Sequence, residues 1–198
     1  MGSTSSTLRW LARTLSERSR TALAAPPLAT GAPKQLRVGL GGEIPVFPPL
    51  ATLLLTGASC AAWMLTGLRL RFVPAVLPTA ARVGGAALIM LGAGRTKAAC
   101  DAALVRAGTE ANFAPVPTVA RTGPYAVCRN AMYVALAAVP AAAAVAVDSA
   151  WLLAAAAATL VYTDAVVVPA EEAFLSVQLG QDYKKYLMQV PRWPWGGK

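Results

Sequence analysis

Residues 121 to 133 read Arg121-Thr-Gly-Pro-Tyr-Ala-Val-Cys-Arg-Asn-Ala-Met-Tyr133, a turn feeding an apolar helix, and the acidic pair Glu171-Glu172 answers it downstream. Between them lie two apolar runs, 131–147 and 151–168, separated only by Asp148, Ser149 and Ala150. So short a connection makes the two runs an antiparallel hairpin. At a rise of ~1.5 Å per residue each run has about the length needed to cross ~30 Å of hydrocarbon. The chain therefore returns to the side it left, and Arg129 and Glu171 meet there. Motif and acidic pair read as one site on one membrane face.

The composition supports this setting. Of 198 residues 56% are hydrophobic and only 14% charged, and mean hydropathy is +0.51. The apolar residues fall in long runs rather than periodic stripes, which predicts an all-α integral membrane protein of about four spans. The net charge of +9 does not imply nucleic acid, because the basic residues flank apolar runs instead of forming an aromatic-interleaved basic face. Cys60, Cys100 and Cys128 lack the paired spacing of a disulfide framework or metal site and are expected as free thiols. The chain has no histidine, which excludes a histidine-based triad, a histidine metal site and the commonest general base near neutral pH. No metal is expected.

Residues 1–45 form a basic arm. Leu8, Leu11 and Leu15 recur at helical spacing with Arg9, Arg13 and Arg20 off that stripe, the pattern of an organellar transit peptide or of an amphipathic arm lying on an anionic membrane. Met1-Gly2 with Ser6 also fits a myristoylation pattern. Residues 46–198 form the membrane domain. Its first span is expected over 50–68 and its second over 76–94, where Arg82 snorkels or faces protein and Gly84, Gly85, Gly92 and Gly94 would let helices approach closely. Charges return over 95–106, which suggests an interfacial helix, and Gly108, Thr109, Pro115 and Pro117 mark an irregular loop. With four spans, 15 of the 18 lysines and arginines fall on the side of the motif and both termini, against Arg69 and Arg71 on the other. That asymmetry puts the motif on the cytoplasmic, stromal or matrix side of a membrane, a mitochondrial or plastid one if the arm is a transit peptide.

The pieces Gly123-Pro124-Tyr125, Arg129-Asn130-Ala131-Met132-Tyr133, Glu171-Glu172, Tyr183, Tyr186 and Pro191-Arg192 occur in one order over roughly residues 95 to 195. In that order the chain resembles the isoprenylcysteine carboxyl methyltransferase family and the related phospholipid methyltransferases. It departs from them at Ala131, where the family has proline, and at Ala135, where it usually has glycine. The resemblance implies S-adenosylmethionine as methyl donor, a lipophilic acceptor and an interfacial C-terminal helix. It also implies a cofactor site of Gly123, Tyr125, Arg129, Asn130, Tyr133, Glu171 and Glu172, with Arg129 and Glu172 at the reacting end. The residue types suit that ligand. Arg129 can hold its carboxylate as a fork, Glu171 or Glu172 its ammonium or ribose hydroxyls, and Tyr125 and Tyr133 offer hydroxyls and ring faces to a cation. The acceptor reads as a carboxylate or thiolate rather than an amine, since the amine needs a base that histidine would otherwise supply.

Each residue also has an ordinary explanation. Arg129 can be a positive flank and the tyrosines an interfacial belt; Glu171 and Glu172 can be first-turn acids after Pro169; Tyr183 and Tyr186 can pack a tail helix, and Trp193 and Trp195 anchor it in headgroups. Asp164 lies seven residues before Glu171, on nearly the same helical face, either touching ligand or pairing with Arg82 or Arg129. Ala131, Ala135 and the transit-like arm motivate a rival reading, a non-catalytic structural subunit of an organellar membrane complex with partner chains. A membrane reductase of the same C-terminal architecture is a third. The charge count carries a test: a tag on the N-terminus and the segment around Tyr125 should be cleaved by protease from the same side of sealed vesicles. Access from opposite sides would overturn the topology.

Overall fold

The structure, a computed structural model, describes residues 45–68, 70–74, 76–108 and 118–196. The basic arm, but for its last residue, and the loop over 109–117 lie outside the described residues. Five helices follow one another, α1 (Pro48–Thr66), α2 (Thr79–Arg106), α3 (Ala131–Val147), α4 (Ala150–Tyr162) and α5 (Val168–Gln189), with a 3₁₀ turn at Gly123–Ala126 and a π turn at Thr163–Val167. No strand occurs among the described residues. Helix α2 packs on α3, α3 on α4, and α4 on α1, so α1 and α2 flank the hairpin that the short 148–150 connection dictates.

Small side chains set the packing. Ala135, Ala137, Ala142 and Ala144 of α3 and Ala155 and Ala156 of α4 are buried, and the hydroxyls of Thr159 and Thr163 turn back onto the carbonyls of Ala155 and Thr159. The large apolar side chains point the other way: Leu65 is 87% and Met64 81% exposed. Patches of that kind are untenable in water and natural against lipid. Pro48–Thr66 and the continuous helical stretch Ala150–Gln189 are long and apolar enough to cross a membrane, while Ala131–Val147 is a shorter apolar helix. This is a membrane protein.

Asp148 closes the end of the hairpin away from the motif. It ends α3 in the left-handed conformation, φ 54°, and its carboxylate accepts from Arg71 Nε at 2.6 Å, Val73 N at 2.9 Å and Phe72 N at 3.0 Å. Ala150 N donates to Leu70 O at 2.8 Å and Trp151 Nε1 to Leu68 O at 3.0 Å, so the α1–α2 turn is laced to the hairpin turn. The Arg71 hydrogen bond, then the two backbone amides, hold the Asp148 carboxyl down to about 2. The clasp is thus intact above the ordinary carboxylate range and loosens only as pH falls through about 2. At the opposite end the Tyr162 hydroxyl donates to Val46 O at 2.5 Å, tying the start of α1 to the end of α4.

Three expectations are corrected. Residues 95–106 are not a separate interfacial helix but the last turns of α2, because nothing between Thr79 and Arg106 breaks the helix and its late charges simply reach solvent. Among the α2 glycines only Gly85 approaches a neighbour, at 3.9 Å from Val145 Cγ1; around Gly84, Gly92 and Gly94 a Cβ would meet nothing. The alanines of α3 and α4 do the close packing instead. Finally, Glu171 does stand in the first turn of α5 after Pro169, but that turn is not a free helix end, because α5 continues from α4. Proline has no N–H for the carbonyl four residues back and its ring collides with it, and the chain widens into the π turn at Thr163–Val167 before continuing as α5.

Helix α5 is itself broken once, at Gly180, with φ 55° and ψ −125°. No atom lies within 4 Å of a Cβ built there, so the position demands glycine for its backbone alone. Gly180→Ala is expected to destabilise the fold by ~1–3 kcal/mol, read as a lower melting temperature in detergent. An unchanged melt would mean that the break is not needed.

Candidate functional site

The site is built where the motif turn meets the tail. Gly123 has φ 60°, a left-handed conformation that favours glycine, and a Cβ there would make only ordinary contacts with α2, 3.6 Å from Ala99 O and 3.9 Å from Ala103 Cβ. Pro124 O then accepts from Val127 N and Cys128 N, which winds the 3₁₀ turn up to the start of α3. Burial pushes the Tyr125 phenol and the Cys128 thiol up, and both stay neutral near pH 7. All three described cysteines are free.

Three successive motif residues grip the C-terminal tail. Cys128 Sγ donates to Arg192 O at 3.4 Å, Arg129 N to Pro191 O at 3.0 Å, and Asn130 Nδ2 to Arg192 O at 3.1 Å. From the other side Tyr186 donates its hydroxyl to Tyr125 O at 2.7 Å, and Tyr183, Tyr186 and Val190 form a buried cluster with Val119, Leu175, Leu179 and Leu187. Tyr183 and Tyr186 therefore pack the tail helix.

That grip delivers the charges. Arg129 Nη1 donates to Glu172 Oε1 at 2.7 Å, and Arg192 Nη2 to Glu172 Oε2 at 2.6 Å. Arg192 Nη1 reaches Asp164 Oδ1 at 3.2 Å, and Trp193 Nε1 donates to the same oxygen at 2.8 Å. The Tyr133 hydroxyl donates to Glu171 Oε1. Arg129 and Glu172 are largely buried, at 13% and 18% side-chain exposure. Among the described residues Arg129 Nε is buried with no partner, and Glu171, though it accepts from Tyr133, has no cation within 4.0 Å.

Of the two expectations for Asp164, ligand contact or a pair with Arg82 or Arg129, the pairing is corrected: its partners are Arg192 and Trp193. The π turn is the reason. Its extra residue advances the helix phase by one, so Asp164 shares a cation with Glu172, eight residues on, rather than lining up with Glu171 at seven. Arg82 lies at the other end of the bundle, 3.7 Å from Asp148. Trp193 spends its indole N–H on Asp164, and its ring stacks on Trp195 with centroids 5.6 Å apart. Arg192 was legible only as part of the tail motif. Its signal was charge balance, since three acids faced Arg129 alone and Arg192 is the one arginine downstream of them.

A helical membrane bundle with a part-buried, hydrogen-bonded ionic cluster at one end is the class that fold and site define. A profile of the phospholipid methyltransferase family matches residues 80–182, from the start of α2 through the break in α5, and the chain belongs to that family. No curated protein and no solved structure matches it significantly. The matched stretch contains Gly123, Tyr125, Arg129, Asn130, Tyr133, Glu171 and Glu172, and ends before Arg192.

The cluster makes Arg192 a structural residue as well. Arg192→Ala strips Glu172 of one cation and Asp164 of the only one it has among the described residues, and should cost about 2 kcal/mol, short of a fully buried pair because Arg192 is about a third exposed. Lys97→Ala, which removes an exposed pair with Asp101, should cost under ~0.5 kcal/mol. Equal melting of the two variants would show that the cluster does not bear on stability.

Proposed function

We propose that this protein transfers a methyl group from S-adenosylmethionine to a lipophilic acceptor at the membrane interface, a carboxylate or thiolate being favoured. The observation that carries the reading is the imbalance of the part-buried cluster. Asp164, Glu171 and Glu172 bring three carboxyl groups to the two guanidiniums of Arg129 and Arg192, and the carboxyl group left without a cation is that of Glu171, while Arg129 keeps an unused N–H. A ligand with an ammonium and a sulfonium against one carboxylate carries one positive charge. Its carboxylate suits Arg129 Nε and its ammonium suits Glu171, which is the pairing that charges near a low-dielectric slab require.

The residues fit the donor, and when bound it supplies a methyl group on a cationic sulfur, open to in-line attack. The chain's own part is alignment and exclusion of water. Glu172, held by two arginines, acts through Arg129 by fixing its guanidinium, and so is a positioning residue. Tyr133 orients the Glu171 carboxylate, and Gly123 sets the turn that presents Tyr125. Asn130 locks the tail over the site. With no histidine anywhere in the chain, an ionised carboxylate acceptor needs no base, its reference pKa being about 4. In this reading α1 to α4 with the start of α5 give four spans, and both termini and the site face the cytoplasmic, stromal or matrix side of an organellar membrane.

Titration of purified protein with S-adenosylhomocysteine tests the reading. Arg129→Ala and Glu171→Ala are each expected to weaken binding by ~3 kcal/mol, over a hundredfold. Arg129→Lys, which keeps the charge but not Nε, should recover only part. Helix content by circular dichroism should be unchanged, because Arg192 still pairs Glu172. Wild-type protein that binds nothing at millimolar ligand would favour the non-catalytic subunit.

A further inference from the structure

The end of the bundle away from the ionic cluster holds a second polar site. A cavity of about 230 Å³ opens there, lined by Arg71, Arg82, Asp148 and Ser149 with Trp63 and Leu70 among its apolar wall. The hairpin separates it from Arg129 by the length of α3, 17 residues or ~25 Å.

Two buried donors in this cavity lack partners among the described residues, Ser149 Oγ and Arg82 Nε. Ser149 is only 3% exposed and stands at the N-cap of α4, yet its hydroxyl makes no capping bond. The rest of the Arg82 guanidinium is held in place, Nη2 on Thr79 Oγ1 at 3.0 Å and Nη1 3.7 Å from Asp148, so Nε is fixed rather than free to turn to solvent. Arg71 engages Asp148 through Nε and is otherwise 61% exposed. Two arginines against one aspartate leave the cavity one positive charge. Among the described residues both unsatisfied groups can donate, the Arg82 N–H only donate and the Ser149 hydroxyl either way, and a buried donor without an acceptor is costly.

We infer that this cavity is a binding site for the phosphate of an anionic phospholipid headgroup, in the leaflet opposite the ionic cluster. A phosphate oxygen accepts from Ser149 Oγ and Arg82 Nε together, and Arg71 covers the remaining charge from outside. The walls argue for a lipid over free phosphate. Trp63 and Leu70 border the cavity, and Met64 and Leu65 beside them are outward-facing apolar side chains, so an acyl chain continues from the headgroup onto α1. The site stands apart from methyl transfer and does not depend on it.

The test uses the full chain in phosphatidylcholine nanodiscs with or without phosphatidic acid, followed by native mass spectrometry of retained lipid. Wild type should retain phosphatidic acid preferentially. Ser149→Ala, which removes a hydroxyl that bonds to nothing and so leaves folding alone, should lower that retention about tenfold, the loss of one charge-assisted hydrogen bond. Arg82→Gln should lower it at least as far, and S-adenosylhomocysteine binding should stay as in wild type for both. Retention in Ser149→Ala equal to wild type, or no preference over phosphatidylcholine, would overturn the inference. So would inorganic phosphate that raises the melting temperature as much as phosphatidic acid does, since the site would then belong to a free anion.

Discussion

One carboxylate, Glu172, carries the arrangement of the motif end. It receives Arg129 from the turn before α3 and Arg192 from the tail, segments 63 residues apart in the chain, and each oxygen serves one guanidinium. In a bundle whose outer surface is hydrocarbon-facing, a part-buried charge has little water to fall back on, so the positions of Arg129, Glu172 and Arg192 are set by one another. The tail accordingly lies where Arg192 can reach Glu172, and the backbone bonds from Arg129 and Asn130 make that position unique.

The two ends of the bundle solve the same problem differently. At the motif end the charges come from four segments and are bridged by side chains, leaving an acid in excess. At the Asp148 end a single acid is satisfied largely by backbone amides and one exposed arginine, leaving donors in excess. The alanine-rich hairpin between them keeps the two ends apart.

How much of this was legible in the sequence follows from which forces are local. The hairpin was, because a three-residue connection between apolar runs admits one geometry, and so was the meeting of Arg129 and Tyr133 with the acidic pair. The partners of Asp164 were not, because they depend on a widened turn that hydrophobic pattern does not register and on a tail whose path is fixed by backbone hydrogen bonds. The fate of the α2 glycines was hidden too. Small residues permit close approach without demanding it, and here the neighbouring helix met Gly85 alone. Ala131 and Ala135, the two departures from the family pattern, are both buried, Ala131 against Cys100 and Cys128.

The π turn at Thr163–Val167 gives the site an unusual dependence on chain length. A residue adds about 100° of rotation in an α-helix, so the count of residues from Asp164 to Glu172 fixes which way α5 turns its acids. Replacing a side chain inside the turn leaves that angle alone. Losing one residue from it would swing Glu171, Glu172 and the packed tyrosines together away from α3, uncoupling the whole C-terminal segment in a single step. In this protein the spacing between its acids is as much a part of the ionic cluster as the acids themselves.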